Sequence, residues 1–580
     1  MPVISTIEAR CKDCYRCLRS CPVKAIRFVG GSSKSELRAK VMGERCVLCG
    51  TCLLVCPQKA KKVRPDVDKV KDLIRNGREV IASLAPSFAG AFVSERHGRV
   101  VSALRKLGFS RVEETAYAAG PVAEEHACTA GDVPPPSITS SCPVIVNLIE
   151  MYYPGVMPHL APVVSPMVGH ARYLKAAHPG SAVVFVGPCV AKKEEAEPSG
   201  EVDAALTFAE LADWLRQEHV DVSSLDESSF DGPAPDVSRL FPLDGGLLKT
   251  AALPTDMLSE EYRVVTGLDN CMQFLQEVRS GGDSVKRMKM VEMLACAGGC
   301  ISGPGLVTCE GVEPDSNSRR RAVLQYYHAR SGAGAVAGEN SESDVRPEID
   351  LRRGYSDRRP DTLAPDEVTI RGILAQTGKM GPDDELNCGA CGYGSCREKA
   401  VAVFHGFADI QMCMPYMRER AESMSNVIIS TTPNGIIVVN PRLDVVEVNR
   451  AAEAMFGCSA QKVVGKPLST IIDPSNFEKA LETKRLLRVR VGYPEYSLNT
   501  DQSIFYVDKE NVVIGIFVDR TEEAKRRSEE QKTRQSVVSR AQEVIDKQMK
   551  VAQEIAGLLG ETTAETKVLL TRLIELMQKE

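Results

Sequence analysis

Histidine is scarce in this chain: eight residues in 580, none of them paired with a cysteine motif. Any metal site built from the cysteines is therefore thiolate-only. Positive charge is not in excess either. Lys and Arg number 72 against 77 Asp and Glu, a formal net charge of −5, so the basic footprint of a nucleic-acid-binding protein is missing. No apolar run approaches the ~20 residues of a membrane-spanning helix. The first cysteine motif begins at Cys11, which leaves no room for a signal peptide. The expectation is a cytoplasmic protein with no nucleic-acid partner and no membrane span.

What the chain has in quantity is cysteine. Most of its 20 cysteines sit in C-x-x-C clusters. Without an export signal, that spacing reads as metal binding rather than disulfides. Thiolate-only sites favour iron–sulfur clusters or zinc. The length predicts roughly three to five domains.

Residues 1–65 contain CKDCYRCLRSCP and CVLCGTCLLVCP, each C-x2-C-x2-C-x3-C-P. In this ferredoxin-type run the fourth cysteine serves the other cluster. Cys11, Cys14, Cys17 and Cys56 are predicted to hold one [4Fe-4S] cluster, and Cys46, Cys49, Cys52 and Cys21 the second. Zinc is the alternative, and two full copies of the run weigh against it. Residues 66–330 alternate apolar strand-like runs (REVIASLAPSFAGAF, GSAVVFVGPCVAKKE) with helical stretches at 68–76, 97–107 and 205–217, an α/β pattern. Residues 331–366 are polar and rich in Gly and Pro, as in a linker or surface excursion.

Residues 367–420 contain LNCGACGYGSC and MCMP, spacing Cys388, Cys391, Cys396 and Cys413 as C-x2-C-x4-C-x16-C with a helix before the last ligand. This resembles the small [4Fe-4S] domain of the Rnf electron-transfer complex B subunit and of the corrinoid iron–sulfur protein; zinc is again the alternative. Residues 425–522 read as a hairpin and short helix within a mixed domain. NRAAEAMFG and the closing DRT make it resemble a PAS domain. In residues 523–580, Val537, Ala541, Val544, Gln548, Val551, Ile555 and Leu558 alternate by four and three, a coiled-coil seam. The expected fold class is multidomain α/β and α+β.

Three separated stretches, TSSCP (139–143), GPCVAKKEE (187–195) and VEMLACAGGCISGPG (291–305), resemble the signature motifs of [FeFe]-hydrogenases. APS (85–87), YYP (152–154) and SP (165–166) extend the likeness. The resemblance implies an H-cluster, a [4Fe-4S] cubane joined to a two-iron unit with CO and cyanide ligands. Its cubane ligands would be Cys142, Cys189, Cys296 and Cys300, with Cys300 the bridge. Lys192 would hydrogen-bond a cyanide, a charge-assisted contact. Pro86, Ser87, Ser165 and Glu292 match other residues of that pocket. The sequence departs from the motifs in three places. Ser141 stands where catalytic members have a proton-relaying cysteine. Gly187 and Leu294 replace methionines. Glu125 is retained from a glutamate proton path, and Cys128 falls where a second glutamate would align. The plain alternative for Ser141 is a helix N-cap.

A thiol ionises near ~8.5 and relays protons that a hydroxyl does not; losing such a relay costs roughly 10²–10⁴ in rate. A weakened relay joined to PAS and coiled-coil segments reads as a sensory [FeFe]-hydrogenase responding to H2 and protons. No kinase, phosphatase or DNA-binding motif follows, so output needs a partner, a kinase or phosphatase by analogy with similar sensory hydrogenases. Asp519 and Thr521 of DRT match residues that couple a PAS core to its following helix, and the seam implies a homodimer or a partner helix. The alternatives are a low-turnover hydrogenase exchanging electrons with ferredoxin, and a non-enzymatic iron–sulfur scaffold. Cys128, Cys271, Cys309 and Cys458 read as ordinary thiols. No PAS ligand is legible.

Overall fold

The computed structural model describes residues 2–30, 37–93, 96–255, 259–306, 315–332, 349–360, 363–559 and 564–577; Cys309 lies outside them. The chain divides into two compact units, Met1–Tyr416 and Met417–Glu580.

In the first unit the two cysteine runs fold alike. Strand Ile4–Thr6 pairs antiparallel with Lys61–Val63, and Ile26–Gly30 with Leu37–Val41. Left-handed residues recur at the same offsets: Asp13, Tyr15 and Lys24 in the first run, Leu48, Gly50 and Lys59 in the second. Only one is glycine, so the surroundings must hold the others in a conformation that side chains disfavour. The duplication is thus one of backbone shape as well as spacing. Gly50 has a second constraint, because a Cβ there would overlap the ring of Pro304.

The central segment has two parallel sheets. One orders its strands Arg111–Glu114, Val80–Leu84, Ala182–Gly187, Ala204–Thr207; the other Tyr262–Thr266, Met290–Leu294, Ser137–Ile138. Val80–Leu84 and Ala182–Gly187 are buried along their whole length. This is why they read as unbroken apolar runs: helices cover both faces of a parallel sheet. The helices expected at 68–76, 97–107 and 205–217 are Val67–Arg75, His97–Lys106 and Phe208–Gln217, the last preceded by strand Ala204–Thr207. Lys193, fully buried, donates to Asp66 Oδ2 (3.0 Å), Glu210 Oε1 (2.9 Å) and the Ala205 carbonyl (2.7 Å). Its three donors are matched by three acceptors, the condition under which a buried charge is tolerated.

Of residues 331–366, expected to form a linker or surface excursion, 349–360 lie at the surface with none of them buried. Residues 349–360 form a strap bonded across the central segment. Tyr355 donates to the Ala161 carbonyl (2.6 Å). Arg358 donates to Asn147 and Glu150, and the Ser356 N–H to Glu150 (3.0 Å). Polar composition suggested solvent, but these polar groups are spent on partners within the protein. The following cysteine-bearing segment packs on the ferredoxin-like one: Phe28 N–H donates to the Phe407 carbonyl, and Arg45 lies over the Phe407 ring at 5.2 Å.

The second unit contains a five-stranded antiparallel sheet ordered Val445–Val448, Gly435–Val439, Val512–Asp519, Leu498–Val507, Leu487–Tyr493. Its core is built on Phe456, Phe477, Phe517 and Ile504. Asn449, first residue of the NRAAEAMFG stretch, caps helix Arg450–Phe456 by accepting from Ala452 N–H; it also accepts from Ile436 N–H and donates to the Asn434 carbonyl. Helix Thr521–Leu559 follows the last strand directly. Asp519 accepts from Thr521 N–H (2.8 Å), and Thr521 Oγ1 accepts from Asn499 N–H (2.9 Å). One junction residue thus bonds to the helix start and the other to the sheet. A side-chain cap is worth about 1 kcal/mol. Asp519→Ala is therefore expected to speed amide hydrogen exchange about fivefold in the first turn after Thr521, with exchange in the Phe456–Phe517 core unchanged; equal exchange in both proteins would refute the cap.

Candidate metal centre

The motif cysteines arise where parallel strands end. Val80–Leu84 leads to Pro86 and Ser87. Ala182–Gly187 leads to Cys189, Ser137–Ile138 to Cys142, and Met290–Leu294 to Cys296 and Cys300. Carboxyl ends of parallel strands share one side of a sheet, the usual place for a ligand crevice in α/β folds. Cys142 is the N-cap of helix Pro143–Tyr152, Ser165 of Pro166–Ala177, and Lys192 opens helix Lys192–Ser199. The four cysteines form one electrostatic neighbourhood: Cys300 feels Cys142 and Cys189, and Cys296 feels all three others. Burial pushes the Cys189 thiol up to about 11 and Cys300 to about 12, and raises Cys296 well above the thiol range. Clustered buried thiolates need a cationic group to replace their protons. The donor set therefore fits an iron–sulfur cubane.

Three of the motif serines have hydroxyls without partners. Ser87, Ser141 and Ser165 are buried, and each Oγ lacks a hydrogen-bond partner. An unmatched buried polar group costs about 1–3 kcal/mol, a cost that a polar group bound there would remove. Lys192, 8% exposed, donates to Glu195 Oε2 (2.6 Å) and reaches the Ser141 carbonyl (3.5 Å). The structure thus places the motif lysine at the motif serine. The N-cap alternative for Ser141 fails, because Cys142 occupies that position and Ser141 Oγ bonds nothing.

The other expected residues fall less centrally. Glu292 is buried, accepts from Leu248 N–H (3.1 Å), and is pushed up to about 7 by burial. Pro86 is buried beside Ser87. Glu125 pairs with Arg352 of the strap (3.5 Å) and Cys128 is exposed. Gly187 has a packing cause, since a Cβ there would overlap the Phe185 ring. Two residues were missed. Glu195 lies one helical turn after Lys192, a spacing that can signal an ion pair, and also meets Arg353 of the strap (3.4 Å). His126 is fully buried, with Nδ1 on the Val122 carbonyl (2.7 Å) and Nε2 accepting from Ser140 N–H (3.2 Å), so it holds the loop that carries Ser141.

The ferredoxin-type quartets assemble in the crossed order. Cys17 shares its surroundings with Cys11, Cys14 and Cys56; Cys52 shares its own with Cys46, Cys49 and Cys21. Backbone N–H groups donate to Cys21, Cys46 and Cys56 sulfurs at 3.3–3.4 Å, contacts of the kind that tune cluster potentials. Cys296 feels Cys49, and Gly50 abuts Pro304, so the second quartet adjoins the hydrogenase-like site. Cys388, Cys391, Cys396 and Cys413 line one pocket together with Lys379 and Lys399. Lys379 donates to Cys413 Sγ (3.4 Å). Burial lowers the Lys399 ammonium's pKa, while Cys413 and Cys391 oppose it. Tyr393 stands near both Cys391 and Cys21.

Residues 78–304 match the family described as the iron only hydrogenase large subunit, C-terminal domain. Residues 10–60 match the 4Fe-4S dicluster domain, 384–415 an Fe-S cluster family, and 424–515 the PAS fold. The chain therefore carries an iron-only hydrogenase domain joined to iron–sulfur domains and a PAS domain. The periplasmic [Fe] hydrogenase large subunit of Nitratidesulfovibrio vulgaris is 29% identical over 365 residues, 53% of this chain and 86% of that one. Iron hydrogenase 1 of Clostridium pasteurianum is 27% identical over 367 residues, 51% and 64% of the two chains. Among solved structures, an [FeFe]-hydrogenase of Chlamydomonas reinhardtii is 18% identical with a TM-score of 0.41, covering 51% of this chain and 100% of that one. Iron–sulfur clusters and an H-cluster are the cofactors these domains support. Among the described residues no helix is long and apolar enough to cross a membrane.

Burial lowers His126 from 6.5 to about 4. The folded state therefore favours the neutral ring. The stability His126 contributes is present above pH 6.5 and is lost as pH falls towards 4, on the order of 3 kcal/mol. Chemical denaturation of the first unit between pH 7 and 4 should show this loss, and His126→Gln should flatten it. An equal slope in the variant would refute the assignment.

Proposed function

We propose that the chain is a hydrogen-sensing [FeFe]-hydrogenase homologue. It would detect H2 at an H-cluster held by Cys142, Cys189, Cys296 and Cys300 and pass the signal through its PAS domain and C-terminal helix to a partner, a kinase or phosphatase. The observation that carries this reading is Ser141. Its hydroxyl lies buried and unpartnered directly before Cys142, with Lys192 at its carbonyl, in a site that keeps the four motif cysteines and the motif lysine. When bound, the H-cluster supplies the interconversion of H2 with protons and electrons. The protein holds it through four thiolates, offers Lys192 and the hydroxyls of Ser87 and Ser165 as donors, and excludes water by burial. Ser141 can donate a hydrogen bond there but gives up its proton far less readily than a thiol. Slow turnover with intact binding suits a detector.

The reading of the helix as an output element is supported by its exposed seam. Val537, Val544, Val551 and Ile555 are each more than half exposed in the single chain, a hydrophobic stripe that a second helix would cover. A homodimer through this helix is part of the proposal, as is a cytoplasmic location. One observation favours a second function. The second ferredoxin-type quartet adjoins Cys296, an electron route that also serves a low-turnover hydrogenase working with ferredoxin. The scaffold alternative leaves Lys192 and the unpartnered hydroxyls without a purpose.

The matured protein should contain about 18 iron atoms, counting three [4Fe-4S] clusters and the H-cluster. It should show CO and cyanide infrared bands that shift under H2; a fully matured sample without them would leave only the scaffold. Ser141→Cys should raise H2 oxidation with an artificial acceptor about a hundredfold or more, the lower end of the range for a restored acid–base group. A wild-type rate equal to that of efficient hydrogenases would overturn the sensory reading.

A further inference from the structure

The mechanism above makes no use of the two lysines in the Cys388 pocket. Lys379 and Lys399 are 9% and 7% exposed. Lys379 donates to Cys413 Sγ and to Thr377, and Lys399 to the Ile410 carbonyl (2.9 Å). Both line the pocket of the four cysteines. The ferredoxin-type quartets are less well supplied: Lys61, 8% exposed and bonded to Thr6, is near Cys17 of one quartet and Cys52 of the other. Lys24, near Cys21, is only partly buried. Reduction adds a negative charge to a cluster, and a buried cation stabilises that charge strongly because little water screens it. Cys388 is exposed, as is Cys14 of the first ferredoxin-type quartet, so water access does not separate the two and the buried lysines do. Tyr393, close to both Cys391 and Cys21, places this pocket next to the second quartet, which in turn adjoins Cys296. Cys413 immediately precedes helix Met414–Thr431, after which the chain enters the PAS strands.

We propose that Lys379 and Lys399 poise the Cys388 cluster as the highest-potential member of the [4Fe-4S] set, so that it retains an electron at the point where the chain leaves for the PAS domain. Oxidation of one H2 releases two protons and two electrons. One electron rests on the Cys388 cluster, and the other on a ferredoxin-type cluster or an external ferredoxin. This deepens the sensory reading, and it rests on residues 388–413 holding a [4Fe-4S] cluster.

The test is a dithionite titration of the full, cluster-loaded protein followed by electron paramagnetic resonance, with Cys388→Ser used to assign the signal. The Cys388 cluster should be reduced first in the wild type. In Lys379→Met and Lys399→Met its reduced-to-oxidised ratio at a fixed potential should fall at least tenfold, a shift of 59 mV for a one-electron couple. The ferredoxin-type signals should not move, and Lys399→Arg should keep the wild-type value. A Cys388 cluster reduced last in the wild type, or unshifted in both Met variants, overturns the proposal while leaving H2-dependent infrared bands, and with them the sensory reading, intact. Zinc in this pocket overturns the cluster reading and the proposal together.

Discussion

The centre of this protein depends on four partly buried thiols held close together. Burial disfavours the charged form of Cys189, Cys296 and Cys300, a cost that a cationic cluster removes. Parallel strands make this possible. Their carboxyl ends lie side by side, and each releases its chain into a short arm: Thr139–Cys142, Pro188–Cys189, and the loop through Cys296 and Cys300. Helices then begin at Pro143, Pro166 and Lys192, fixing Cys142 and Ser165 at capping positions.

Around this centre the chain bonds polar groups to one another rather than to water. Lys193 ties Asp66 and Glu210 to the edge of the four-stranded sheet. The strap closes the other side through Arg353, Tyr355 and Arg358. Glu195 joins the two regions, bonded to Lys192 at the site and to Arg353 on the strap. Replacement of either cation would leave a buried carboxylate short of partners. The pair therefore works as a unit that positions Lys192.

The second unit is organised on a different principle. Its sheet packs an aromatic core, and its functional geometry lies at the junction of the last strand and the long helix. Asp519 bonds forward into the helix and Thr521 accepts from the neighbouring strand. The two residues thus bond the last strand region to the first helical turn. Farther along that helix Val537, Val544 and Val551 are exposed.

Much of this was legible in the sequence because cysteine spacing is local. C-x2-C-x2-C-x3-C-P names its own ligands, and the crossed assignment of Cys21 and Cys56 follows from it. The same holds for the 4-3 seam and for the buried strands, whose unbroken apolar runs reflect helices on both faces. The strap's bonds to the central segment were not legible, because polar composition does not say where polar groups find partners. The roles of Glu195, His126, Lys379 and Lys399 were not legible for a related reason: each acts on a residue that the fold brings near, and a buried charge looks in sequence like any surface charge. Lys192 and Lys193 show the division most plainly. Sequence alone determined that two adjacent lysines follow Cys189. Only the tertiary structure decided that one meets Glu195 and Ser141 while the other enters the Asp66–Glu210 pocket, because successive residues at a helix start project in different directions and the surrounding packing selects each one's partner.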